Sequence, residues 1–279
     1  MTRTHSIIKK SNPQVVIALS VPLALLVAGA SFVGIFSPDF YAKETLNWQV
    51  QAVGRDIIDL VLVVPVLMVT ALITFKIGRT GTLLWGGVLV YLVHTFVIYS
   101  FDVHFNKLFI IYCLILGLAF YSFLYFIYNQ FKEPAVIKIE NGVIRKVIGI
   151  YFITIAGLFY FLWLSEIVPA IVNNTIPKNL IEAGFPTNPV HVIDLAIFLP
   201  GTFITSILLL RNKKLGLILT PVMLVFFILM PITIGSLSAM MQQKGLEGSF
   251  SLFIVMSSLA LFSLVLLIWY MKPVRSESY

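Results

Sequence analysis

Two aspartates, Asp59 and Asp194, stand inside long apolar runs, and each is followed six residues later by a proline, Pro65 or Pro200. The segments read Ile58-Asp-Leu-Val-Leu-Val-Val-Pro65 and Ile193-Asp-Leu-Ala-Ile-Phe-Leu-Pro200, an offset of 135 positions at every matched residue. A carboxylate at membrane depth is costly unless it is paired, wetted or used. The proline removes one backbone donor, so the helix must bend or rebond there. The pattern places each aspartate about one turn into its helix. Arg55 precedes Asp59 by four residues and His191 precedes Asp194 by three. Each pair therefore shares a helical face, and the expected partners are Arg55 for Asp59 and His191 for Asp194. Asp56, His94, Asp102 and Glu166 lie at comparable depth in this and other runs. The eight residues Arg55, Asp56, Asp59, His94, Asp102, Glu166, His191 and Asp194 form an acidic and histidine-containing set. By charge and hydrogen bonding it would hold a small molecule, an ion or a lipid, provided that it converges.

Asp102-Val-His104 raises metal chemistry, because histidine and carboxylate ligate zinc and iron. On a continuous helix two such side chains diverge by about 200°. His104 therefore shares an ion with Asp102 only if the helix has ended between them. No His-Glu-x-x-His motif, phosphate-cradling glycine loop or dinucleotide fingerprint occurs. The one cysteine, Cys113, excludes an intramolecular disulfide and a thiolate cluster. No cofactor is assigned.

The elements that must position these residues are transmembrane helices. Of 279 residues, 59% are hydrophobic and 11% charged, and the mean hydropathy is +0.99, far from soluble usage. Apolar runs long enough to span a bilayer fall at 14–36, 57–75, 82–101, 108–130, 148–172, 192–210, 215–238 and 249–271. The net charge of +7 does not signal nucleic acid, because the basic residues cluster between spans. With both termini in the cytoplasm, 14 of the 19 Lys and Arg fall inside and 5 outside, as the positive-inside rule requires. Lys9-Lys10 and Ala28-Gly29-Ala30 resemble a signal peptide, but the apolar run continues to Phe36, and the first span is read as retained.

The expected fold is all-α: eight transmembrane helices as two parallel four-helix repeats, 1–131 and 147–279, joined by a cytoplasmic linker over 132–146. Four spans per half give both halves one orientation, about a pseudo-two-fold axis along the membrane normal. Residues 40–51 are expected to lie along the interface as a short helix. Residues 173–190, with three prolines, read as irregular, and Val136 to Gly142 has hairpin character.

Pro186-Thr-Asn-Pro-Val-His191-Val-Ile-Asp194-Leu resembles a stretch found in bacterial multi-pass membrane proteins of unassigned function. The resemblance covers about fifteen residues and implies a bacterial plasma membrane with the polar set facing outward. The leading reading is a non-enzymatic protein whose outward-facing pocket binds or moves a small molecule, ion or lipid. A membrane-embedded, metal-dependent enzyme acting on a lipid and a ligand-free scaffold are the alternatives. Oligomeric state is not assigned.

Overall fold

A computed structural model describes residues 12–132, 139 and 142–276. Its helices are α1 (Pro13–Phe36), α2 (Leu46–Ile58), α3 (Val64–Ile77), α4 (Arg79–Asp102), α5 (Phe109–Lys132), α6 (Gly142–Val172), α7 (Lys178–Ala183), α8 (Pro189–Ile193), α9 (Leu199–Leu210), α10 (Lys214–Gln243) and α11 (Phe250–Ser276). Single π-helical turns, Asp59–Val63 and Asp194–Phe198, join α2 to α3 and α8 to α9. There is no strand among the described residues. Counting each π-joined pair as one helix, eight among the described residues are long and apolar enough to cross a membrane. The chain is an all-α, multi-pass membrane protein.

Local chemistry sets where these helices begin. Asn12 accepts from the backbone N–H of Gln14, with Pro13 at the first helical position. Asn188 does the same for Val190 and His191, with Pro189 behind it. Both pairings combine a side-chain cap with a residue whose missing N–H costs nothing there. Thr45 caps α2 by accepting from Trp48 N–H, and this shifts the second span. The helix starts at Leu46 and runs to Ile77 rather than lying along the interface before a span at 57. Trp48, Val50 and Ala52 are buried as α2 packs on α1 and α10, so the segment has a protein surface to cover. Asp59 consequently sits well inside its helix, whereas Asp194 follows Pro189 by about one turn. Residues 173–190 are also more regular than expected, since they contain α7, ended by Gly184 at φ 77°. The hairpin expected over 136–142 lies outside the described residues, Ile139 and Gly142 apart. α6 begins at Gly142, inside the expected linker.

α4 and α10 form the centre. Within their most apolar windows 83% and 78% of residues are buried, against 28–39% for the other six spans. Lipid tails are as apolar as leucine, so close packing rather than hydrophobic burial must hold such helices together. Gly87 supplies that contact: a Cβ there would lie 2.8 Å from the Val222 carbonyl oxygen and would collide with the Val225 side chain. α3 and α5 flank α4, α9 and α11 flank α10, α1 packs on α3, and α6 packs on α9. The turns from α3 to α4 and from α9 to α10 are tight. A Cβ on Gly81 would lie 2.6 Å from Thr74 N, and one on Gly216 would collide with the backbone at Leu208 and Leu209.

Gly87→Val is expected to separate α4 from α10 and destabilise the protein by about 1–3 kcal/mol, the usual cost of overpacking. Gly29→Val, where a Cβ meets nothing within 4 Å, is expected to leave the melting temperature in detergent unchanged.

Candidate functional site

In each π turn the aspartate carbonyl accepts the backbone N–H five residues on, from Val64 to Asp59 and from Leu199 to Asp194. Pro65 and Pro200 follow immediately. Neither can donate, so the α pattern is interrupted there, and one residue is accommodated as a widened turn. The two aspartates then meet different surroundings.

Asp59 is 1% exposed. Its Oδ1 accepts from the Tyr91 hydroxyl at 3.0 Å, which lies 2.9 Å from Thr233 Oγ1 on α10. The salt bridge expected from Arg55 does not form among the described residues. Tyr91 reaches the carboxylate from α4 instead. Asp56, also buried, accepts from Tyr41 at 2.6 Å and from Tyr99 at 3.0 Å. Burial, and then the neighbouring Tyr99 and Asp56, raise the Tyr41 pKa far above the ordinary phenol range, so Tyr41 stays a donor. Gly34 leaves room for this pair, because a Cβ there would overlap Asp56 Oδ2.

Asp194 is held by two groups from other helices. His94 Nε2 lies 3.0 Å from Oδ1, and Trp163 Nε1 donates to Oδ2 at 3.0 Å. His191, the partner expected from spacing, instead places its ring 4.5 Å from that of Trp163, and its Nε2 has no partner. Asp194 is served from α4 and α6, and His191 packs on the Trp163 ring beside it. Because an ionised carboxylate only accepts, His94 Nε2 donates, and in the neutral ring Nδ1 is left as an acceptor. Tyr91 and His94 are three residues apart on α4, so one face of the central helix holds both aspartates.

Beside Asp194 lies a cavity of about 440 Å³, within the range of small-molecule sites. Of the expected set, Arg55, His94, Asp102, His191 and Asp194 line it. Asp56 and Asp59 do not: the tyrosines of α4 and of the α1–α2 connection seal them away. Glu166 stays half-buried on α6 outside the cavity, and its Oε1 has no partner. His104 also stays outside. The helix has ended by then, as the metal reading requires, yet its backbone N–H and Nδ1 both engage Glu44, at 2.8 Å each. No group of three His, Cys, Asp or Glu able to hold a metal ion occurs among the described residues. The metal site expected at His104 is therefore replaced by a two-residue pair that ties the α1–α2 connection to the end of α4.

The deeper wall is apolar, with Phe159, Phe198, Phe226, Phe227 and Met230. At the loop end, Lys178 bridges Glu247 at 2.9 Å and Glu182 at 3.1 Å, joining α7 to the α10–α11 connection. Buried polar atoms are left over in several places, Ser31 Oγ, Asp59 Oδ2 and Gln130 Nε2 among them, and six of them gather at this cavity. Trp48 Nε1, Arg55 Nη1, His94 Nδ1, Asp102 Oδ2, Asn179 Oδ1 and His191 Nε2 are all buried and unpartnered, and all belong to lining residues. Leaving such a group unsatisfied costs about 1–3 kcal/mol, so six around one space is a concentrated penalty. Sequence reasoning missed Tyr91 and Trp163 as the donors to Asp59 and Asp194. The available signal was that each carries a donor on an apolar body, and such donors find acceptors when buried. No family model, curated protein or solved structure matches this chain.

Tyr91→Phe strips Asp59 of its hydrogen bond and is expected to cost about 1–3 kcal/mol, read as a lower melting temperature in detergent. Tyr128→Phe, at an exposed ring, is expected to leave it unchanged.

Proposed function

We propose that the protein binds, and in doing so moves or presents, an amphipathic small molecule or lipid in this cavity. The observation that carries the reading is the gathering of six unpartnered buried polar atoms around one space whose remaining wall is aromatic and aliphatic. Native interiors pair their buried polar groups. A ligand with a polar head and an apolar body would supply the missing partners and fill the rest.

Access from lipid fits the helix arrangement. Tyr151 on α6 bonds Ser263 on α11 and places its ring 5.3 Å from Phe262. No hydrogen bond joins these two helices nearer the loop end among the described residues, and there Phe159 of α6 and Leu252 of α11 line the cavity. On the positive-inside reading, Lys76, Arg79, Arg211, Lys213 and Lys214 mark the cytoplasmic ends. The cavity then opens to the outer half of the membrane, a bacterial plasma membrane on this reading, with both termini inside. The paired π turns and the paired tight turns at Gly81 and Gly216, each offset by 135 positions, support two parallel repeats. The π turns are then the places where one half flexes against the other.

Native mass spectrometry from mild detergent tests the proposal. One organic molecule per chain is expected on the wild type and on Glu166→Gln, and none on Arg55→Leu/His191→Leu. A wild-type chain at its bare sequence mass would sink the binding reading. A retained metal at one per chain would favour the enzyme alternative instead.

A further inference from the structure

The unpartnered atoms narrow the chemistry of the head group, an inference that rests on the binding reading above. Trp48 Nε1 and Arg55 Nη1 can only donate. Asp102 Oδ2 and Asn179 Oδ1 accept, and so does His94 Nδ1, because His94 Nε2 is committed to Asp194. His191 Nε2 takes either role. The wall therefore offers both donors and acceptors around one space, all unpartnered. Four of the side chains concerned are more than nine-tenths buried: Trp48 at 6%, Arg55 at 7%, His94 at 2% and His191 at 6% exposure.

Charged heads fit this wall poorly. An ammonium would satisfy the acceptors but leave Trp48 and Arg55 unpaired, and it would enter beside a guanidinium with no ion pair of its own. A carboxylate or phosphate would satisfy those donors but leave Asn179 and Asp102 unmet, and it would face the carboxylates of Asp102 and Asp194. The other lining acids, Glu182 and Glu247, are already engaged by Lys178. A hydroxyl group is donor and acceptor at once, so several hydroxyls on one ring can answer both kinds of atom without a net charge. The indoles of Trp48 and Trp163, both lining the cavity, supply the amphipathic ring surfaces against which the C–H face of such a ring can rest. The rest of the lining is largely apolar and includes Phe159 on α6 and Leu252 on α11.

We infer that the cavity takes an uncharged, polyhydroxylated head group, a sugar or polyol, carried on an apolar tail. The head pairs with the ring of unpartnered atoms, and the tail leaves between α6 and α11.

The test is isothermal titration calorimetry on the full chain in amphipol. The probes are octyl β-maltoside, octyltrimethylammonium and octanoate, each below its micelle concentration, with free maltose as the tail-less control. Octyl maltoside is expected to bind at least about tenfold more tightly than the three others, the difference that one satisfied polar contact makes. Trp48→Phe, which keeps a ring and loses the donor, and Asp102→Leu, which removes an acceptor, are each expected to weaken maltoside binding about tenfold. Their melting temperatures report whether they fold. If the charged octyl probes bind as tightly as the maltoside, or if folded variants of both positions bind it as the wild type does, the head-group inference is overturned and the binding reading stands. If free maltose binds as tightly as the glycoside, the tail assignment fails. If no probe binds, both the inference and the reading beneath it fall.

Discussion

The structure depends on the need to satisfy carboxylates placed inside membrane-spanning helices. Asp194 is the point where this need is answered from the greatest distance in sequence. His94 comes from α4 and Trp163 from α6, so one side chain pins three separate segments. Charge-assisted hydrogen bonds are the strong ones, and low dielectric raises both their strength and the penalty for losing them. The cavity exists because this pin holds α6 and α8 around a space while leaving the neighbouring polar atoms unmatched.

Around Asp56 and Asp59 the polar groups are packed away from the cavity, with Asp59 Oδ2 left without a partner. Asp56 has two phenols and Asp59 has one, all inside a packed wall. The contrast follows from what stands on the central helices. Tyr91 on α4 meets Asp59, but the residue 135 positions later on α10 is Phe226, which has no hydroxyl to give. Phe226 packs on Phe198 at 4.9 Å and near His94 at 5.6 Å. Asp194 is therefore served across the molecule by His94, and the space that a bonded tyrosine would organise is lined by rings instead. Asp56 and Asp59 are sealed inside the packing, and Asp194 lines the cavity.

The proline positions give both arrangements a common geometry. A proline placed six residues after an aspartate leaves the helix one donor short, and the π turn absorbs the defect within five residues. Widened turns of this kind recur at functional sites because they re-aim a side chain without ending the helix. Here they direct each carboxylate towards α4. Gly86 and Gly87 let α4 sit close enough to receive them, the first against Phe126 of α5 and the second against α10.

Composition and hydropathy determined the all-α, eight-span class by themselves, because a backbone in hydrocarbon must satisfy its own hydrogen bonds and long apolar runs can do so only as helices. The Ile-Asp-Leu and proline pattern likewise marked Asp59 and Asp194 as the costly groups, since a lone carboxylate in such a run is visible without coordinates. Tertiary structure decided their partners. Spacing within one helix proposed Arg55 and His191, but the donors that arrived came from other helices: Tyr91, His94 and Trp163. It also decided membership of the cavity, drawing in Trp48 and Asn179 and leaving Asp56, Asp59, Glu166 and His104 outside. Periodicity reports which face a residue shares with its own helix. Which neighbour that face meets depends on how the helices pack, and small residues such as Gly87 set that packing through contacts far away in sequence.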